Sequence, residues 1–305
     1  MYNRYILPAR PQASQGQDPD VRPVAIGETE MRAIGRALGA AAEPDFADVL
    51  TPQQLAVGVK GGISVVVHGI RLLMEMRPGF VVVRLDMRNG FNAVSRDVML
   101  RRMERHPRLR HLVPFLHALG AHATDLYVSA TERLFDDGPG GRGDSSEGTQ
   151  QGFATSSATF SVAIHPELVA LDAELRPFGG CARAIMDDIY AAGPPHVVWR
   201  AVIRFAAALT QATGLQLQQS KYACYSRGYD LTTCPWRELV GAALGGETTP
   251  DGAFTHGVMI GGVPVGDDAY VLEVMRRKAD EIVSYIDDTM TELRDHPHAA
   301  WASSA

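Results

Sequence analysis

Two acidic sites, widely separated in sequence, constrain this chain more than anything else in it, because each closes an apolar stretch short enough to be a buried strand. The first is VVVRLDMRNGFN, residues 81–92, where Asp86 ends a Val-rich run and Asn89 and Gly90 suit a turn. The second is ARAIMDDIYAAG, residues 182–193, where Asp187 and Asp188 sit between two apolar pieces as they would at a β-hairpin tip. Adjacent carboxylates at the end of a buried strand repel, and one is driven toward protonation unless a cation or hydrogen-bond donors neutralise the pair. Mg²⁺ supplies that neutralisation: it is hard, takes oxygen ligands and shares carboxylates with substrate phosphates. If the two strands are neighbours, Asp86 meets the Asp pair and the three can hold two ions roughly 3.5 to 4 Å apart, as phosphoryl transfer requires. An isolated Asp-Asp pair is ordinarily a solvated turn. Its pairing with a second acidic strand end is what points to chemistry.

Periodicity predicts helices over Glu28–Ala41, Thr51–Met76, Ser95–Glu104, Ser156–Leu175, Val197–Thr213 and Ala269–Leu293. Strands are expected at Phe80–Leu85, Ala182–Met186, Ile189–Ala192 and Val258–Val265. Helices and strands do not alternate regularly, which favours an α+β sheet domain over a doubly wound parallel sheet. The polar, turn-rich stretches 11–20, 135–146 and 245–252 read as exposed connections or hairpin tips. No Gly-rich segment has Walker spacing, and GGISVVVHG at 61–69 lacks the spacing of a dinucleotide fingerprint.

With 305 residues, 46% of them hydrophobic, the chain can bury a sizeable core as one large domain or two closely packed subdomains, which excludes a disordered chain. Cys181, Cys224 and Cys234 have no metal-ligand spacing and cannot all pair as disulfides, so a reducing intracellular compartment is expected. No apolar run approaches the roughly 20 residues needed to cross a bilayer, so no membrane partner is expected. The opening MYNRYILPAR has no signal-peptide core. The net charge of −6 is unusual for a nucleic-acid binder, but positive charge gathers at 96–105, at 108–111 and in Arg276, Arg277 and Lys278. Each such cluster can also be an ordinary solvated helix face. The histidine pairs His106 and His111, His117 and His122, and His296 and His298 have neither Cys partners nor a matching carboxylate motif and are read as non-ligating.

Several segments resemble the motifs of reverse transcriptases, in the family's order. LDMRNGFNAVSR is similar to the first catalytic motif, EGTQQGFATSSATFSVAIHP to the Gly-x-x-Gln-Gly loop and its following helix, and IMDDIY to the Asp-Asp hairpin. GLQLQQSKYACYS is similar to the Gly and Lys motif that follows, and GGVPVGDDAY to the segment before the thumb. ILPAR and VRPVAI look like two fingers strands. The wording of these segments is closest to the site-specific, LINE-type non-LTR retrotransposons.

The resemblance implies a right-hand polymerase fold, with an antiparallel palm sheet, helices on one face and a fingers subdomain. Residues 1–270 would be fingers and palm, and 271–305 the beginning of a truncated thumb. The implied activity is RNA-directed DNA polymerisation with two Mg²⁺ ions, Mn²⁺ being a possible substitute, on an RNA template, a DNA primer and dNTPs. Asp86, Asp187 and Asp188 would hold the metals, and Lys221 would protonate the departing pyrophosphate. Phe91, on its own a core aromatic, would be the steric gate against a ribose 2′-hydroxyl. Gln151 and Gly152 would line the nucleotide pocket, and Arg10 and Arg22 would contact the triphosphate. Further retrotransposon domains in a longer parent protein are expected, with nuclear localisation if the element is active.

Ile185 stands where the family has an aromatic, Phe153-Ala154-Thr155 where it has Asp-Pro-Leu, Ser157 where it has Pro, and Glu147 where a basic residue is common. Two other readings stay open. One is an RNA-directed RNA polymerase, against which Phe91 argues. The other is a degenerate remnant that folds and binds nucleic acid or protein without polymerising, which the altered loop and the acidic net charge favour.

Overall fold

The computed structural model describes residues 4–8, 23–26, 29–120, 124–128, 142–145, 147–149, 153–231 and 256–295. Strands β1 (Arg4–Pro8) and β2 (Pro23–Ile26) lead into helices α1 (Thr29–Leu50) and α2 (Gly62–Met76), then β3 (Val81–Leu85). Helices α3 (Gly90–Ala93), α4 (Arg96–Arg105) and α5 (Val113–Gly120) follow, then β4 (Thr124–Val128) and β5 (Arg142–Ser145). The second half runs α6 (Ser156–Leu175), β6 (Cys181–Ile185), β7 (Asp188–Gly193), α7 (Pro195–Thr213) and β8 (Ala223–Tyr225). It ends with β9 (Gly257–Ile260), β10 (Val263–Gly266) and α8 (Asp268–Asp295).

The central sheet has the order β6-β7-β3-β8, and every neighbouring pair is antiparallel. Helices α6 and α7 cover one face, where Phe160, Ile164, Leu168 and Phe205 pack on Val81, Val83, Leu85 and Ile189. The helices are not confined to that face. Val66, Val67, Ile70 and Met74 of α2, with Val258 and Ile260 of β9, cover Val82, Tyr190 and Ala192 on the other. Burial on both sides explains why VVVRL reads as a continuous apolar run and not as an alternating one.

A third cluster joins Ala42, Phe46 and Leu50 of α1 to Met103 of α4 and to Ala158 and Val162 of α6. Helix α6 therefore serves two cores and is buried on every side from Ala158 to His165, while Pro166, Val169, Ala170 and Ala173 in its C-terminal half face solvent. Arg102 of α4 crosses to α6 as a fork on Glu167, with Nη2 to Oε1 at 2.7 Å, and both side chains are almost wholly buried. A second sheet has the order β2-β1-β4-β5, with β1 and β4 parallel and the other pairs antiparallel.

The helix expected over Thr51–Met76 is real only from Gly62. Residues 53–55 instead lie alongside β6, with Ala184 donating to Gln53 O at 2.7 Å and Leu55 donating to Ala184 O at 3.0 Å. Gly58 and Gly61 take positive φ, which a continuing helix cannot accommodate. The strand expected over Val258–Val265 is a tight hairpin, because Gly261 and Gly262 both turn at positive φ. Helix α1 runs past its expected end at Ala41 to Leu50, through Pro44, because Phe46 and Leu50 are needed in the third core cluster. Stretch 11–20 and stretch 245–252 lie outside the described residues. The two extended pieces flanking 11–20 pair antiparallel, Leu7 opposite Val24.

Candidate catalytic site

The antiparallel register decides where the carboxylates go. Leu85 pairs with Ile189, so the next step along β3 brings Asp86 level with Asp188. Ile185 pairs with Asp188, which leaves Met186 and Asp187 as the two-residue turn between β6 and β7. All three aspartates thus stand at one end of the central sheet, at the tips of its two innermost strands and the hairpin that joins β7 to β6.

Lys221 reaches the same place from the other side. After α7, Gln218 donates to Asp86 O at 2.9 Å, Arg88 donates to Gln216 O at 2.9 Å, and Met87 bridges Leu217. That short antiparallel contact carries the chain past the Asp86 tip and into β8, leaving Lys221 Nζ 3.4 Å from Asp86 Oδ2.

Phe91 lies on the single turn α3, half-buried, with its ring stacked on Phe160 at a centroid distance of 4.6 Å. The sequence offered core aromatic and gate as alternatives. The ring is packed against the main core.

The segment before the Gln-Gly loop is fastened to this same region. Gly148 donates to Val94 O at 3.0 Å and Thr149 to Phe91 O at 2.7 Å, while the Thr149 hydroxyl donates to Ser156 Oγ at 2.7 Å. Arg96 Nε donates to Gly148 O at 2.8 Å, and its Nη2 to Glu147 O at 3.0 Å. Burial holds the Arg96 guanidinium below its ordinary pKa. Glu147, noted for standing where the family has a basic residue, thus offers its backbone carbonyl to a cation. Phe153 docks on α1, its ring filling the space beside Gly35 and stacking with Phe115 at 6.4 Å. Gln151, Gly152, Arg10 and Arg22 lie outside the described residues.

Tyr190, two residues after Asp188, accepts a hydrogen bond from Gly261 N at 2.9 Å and so ties the β9–β10 turn to the Asp hairpin. Burial, reinforced by the charge of Asp188, pushes its phenol well above the ordinary value.

Sequence reading overlooked Gln54. It is fully buried, and its side-chain amide holds both backbone polar groups of Met186: Met186 N donates to Oε1 at 2.9 Å, and Nε2 donates to Met186 O at 3.0 Å. Its neighbour Gln53 donates to Asp172 Oδ2 at 2.9 Å, and Asp172 also receives Ala182 N, Arg176 and Arg183. Two adjacent glutamines followed by the apolar run Leu55-Ala56-Val57 were the available signal. It was hidden by the helical pattern assumed there.

The donor chemistry at the sheet end suits a hard divalent ion, since it consists of carboxylates on three neighbouring backbone positions. Among the described residues, no three His, Cys, Asp or Glu side chains stand close enough to enclose an ion, and the Lys221 ammonium is beside Asp86.

Solved structures resemble the chain. Apo telomerase from Candida tropicalis superposes with a TM-score of 0.53 at 8% identity, covering 73% of this chain and 44% of the telomerase chain. The same enzyme truncated from its C-terminal domain gives a TM-score of 0.50 at 8% identity, covering 73% and 49%. Telomerase from Candida tropicalis in complex with a TWJ fragment of telomeric RNA gives 0.50 at 9% identity, covering 73% and 40%. The fold is similar to that of these telomerase chains. At these identities the likeness extends to the fold alone, and the chain spans less than half the length of each of these structures. No protein-family model and no curated protein matches the sequence. Within this fold, the carboxylates lie at the sheet end formed by β3, β6 and β7.

Proposed function

We propose that the chain is the fingers and palm of an RNA-directed DNA polymerase of the non-LTR retrotransposon type, with the start of a thumb in α8. The observation that carries this reading is the convergence of Asp86, Asp187, Asp188 and Lys221 on one sheet end of a reverse-transcriptase-like fold. Asp86, Asp187 and Asp188 would hold two Mg²⁺ ions, or Mn²⁺ in their place. Ions held there would supply activation of the primer 3′-hydroxyl and neutralisation of charge on the pyrophosphate.

The chain's own groups supply the rest. Lys221 carries a proton within reach of the Asp86 tip and donates it to the leaving pyrophosphate. Phe91, braced by Phe160, fills the space a ribose 2′-hydroxyl needs and so selects dNTPs. Arg10 and Arg22 would contact the triphosphate, which a guanidinium can bind in bidentate fashion. Gln151 and Gly152 would line the pocket against template and nucleotide; the segment just before them is held by Gly148 and Thr149.

A second reading, a remnant that folds without polymerising, is favoured by Phe153, which turns the loop position after Gly152 into a hydrophobic dock on α1. Primer extension on a primed RNA template with dNTPs and Mg²⁺, beside an Asp187→Asn control, separates the two. Extension by the wild type alone supports the polymerase. A folded chain that extends nothing, even with Mn²⁺, supports the remnant. Incorporation of rNTPs as readily as dNTPs would overturn the gate assigned to Phe91.

A further inference from the structure

The turn that carries Asp187 is held in a conformation its own sequence does not favour. Met186 has φ of 57°, in the left-handed region where a side chain with a Cβ crowds the following carbonyl. Glycine is the residue that ordinarily takes such a position in a two-residue hairpin. Left to itself, a Met-Asp turn relaxes to other geometries, and the two aspartates move with it.

Gln54 opposes that relaxation. Its amide offers one acceptor and one donor at the spacing of a neighbouring strand, and it uses both on the single residue Met186, at 2.9 and 3.0 Å. The amide is itself oriented, because Oε1 also accepts from Ala56 N at 3.2 Å. The backbone beneath it is pinned to β6 through Gln53, Leu55 and Ala184, and through Gln53 to the buried Asp172. Gln54 is completely shielded from water, so no solvent competes for these bonds.

We propose that Gln54 is a positioning residue for the catalytic carboxylates: it locks Met186 in its left-handed conformation and thereby presents Asp187 and Asp188 to the Asp86 tip. The role rests on the polymerase reading for its chemistry, but the lock itself is a property of the fold. It also demands an amide. A glutamate at 54 keeps the shape, loses the donor to Met186 O and sets an anion against that carbonyl and close to the Asp pair.

The test compares the full chain with Gln54→Ala, Gln54→Glu and the double variant Gln54→Ala/Met186→Gly. Two quantities are measured: amide hydrogen exchange in the 185–188 hairpin, and Mn²⁺ affinity by electron paramagnetic resonance. Gln54→Ala, which removes the acceptor of the Met186 amide, is expected to speed its exchange, and both single variants are expected to weaken Mn²⁺ binding on the order of 10- to 100-fold, the usual cost of losing a group that orients metal ligands. Glycine takes positive φ without penalty, so the double variant is expected to regain most of the Mn²⁺ affinity while the amide, still lacking its acceptor, exchanges fast. Unchanged exchange and affinity in the single variants would overturn the proposal. So would a loss of affinity that Met186→Gly does not restore, because Gln54 would then be supporting the fold in general. A wild-type chain that binds no Mn²⁺ defeats the two-metal reading. In that case faster hairpin exchange in Gln54→Ala still supports the lock, and unchanged exchange in that variant overturns it.

Discussion

Lys221 Nζ stands 3.4 Å from Asp86 Oδ2, a cation placed against the one carboxylate of the three that does not belong to the hairpin. The pair is partly open to water, with the lysine side chain 40% and the aspartate 20% exposed. A pair of this kind contributes roughly 0 to 1 kcal/mol to stability. Lys221→Ala is therefore expected to leave the thermal melt almost unmoved and, on the general-acid role proposed for it, to slow primer extension about 100-fold or more. Lys221→Arg keeps the charge but gives up its proton far less readily, and is expected to behave like the alanine variant. Single-turnover extension rates beside melting curves check both statements.

Gly148 has φ of 71°, and a Cβ built there would lie 2.3 Å from Asn92 O and 2.6 Å from Asn92 Cα. Both obstacles are backbone, so neither can swing aside. Gly148→Ala is expected to cost roughly 2 kcal/mol or more through strain and through the two hydrogen bonds that fasten the loop to residues 91 and 94. Urea unfolding gives the number, and a loss below about 0.5 kcal/mol would show that the loop is not held as described.

Asp172 is buried at the centre of a polar cluster that supports β6. Burial alone would raise its pKa, but the Ala182 amide, Gln53, Arg176 and Arg183 together outweigh it and hold the carboxyl below its ordinary value of 3.8. A carboxyl depressed in the folded state contributes stability that is complete above the unfolded pKa and is lost as pH falls through the folded one. Asp172→Ala, which strands Arg183 and Gln53, is expected to destabilise by about 3 to 5 kcal/mol near neutrality. The difference between variant and wild type should shrink below about pH 4 in denaturant titrations.

His165 of α6 is buried, and among the described residues its Nδ1 finds no hydrogen-bond partner. Burial, and then the neighbouring His106, lower its pKa from 6.5 to about 4, against smaller opposing effects from the Val49 carbonyl and Glu167. Here the unfolded chain takes up the proton first. The stability contribution is complete above about pH 6.5 and is lost progressively as pH falls toward 4, on the order of 3 kcal/mol in all. His165→Gln, which does not titrate, is expected to flatten the stability profile across that window while leaving the Asp172 limb below it in place. Parallel slopes for the two proteins would rule this out.

Most of the charge clusters that the sequence offered for phosphate contact have internal employment. Arg96 serves loop carbonyls, Arg102 serves Glu167, Arg101 pairs with Asp97, and Arg108 pairs with Asp45 and Asp48. Sequence counts charges but cannot see which of them face one another across α1, α4 and α6.

The elements that local pattern decides were legible from the chain alone. The Val-rich run of β3, the 3.6-residue period of α4 and α7 and the Asp-Asp tip between two apolar pieces depend on neighbours within a few residues, so composition and spacing determine them. The aspartate tips were recognisable for the same reason, whereas Lys221 was singled out only by the resemblance of its segment to a family motif. What no stretch of sequence could decide is the company those residues keep. The strand that flanks β3 on one side comes from beyond residue 220, and the hairpin on the other from beyond 180. The buried amide that grips Met186 comes from residue 54, in a stretch whose helical periodicity is overridden by backbone pairing with β6. Hydrogen bonds between residues more than a hundred positions apart leave no periodic trace. Only the folded chain, by burying Gln54 where water cannot substitute for it, makes the residue specific for the hairpin it holds.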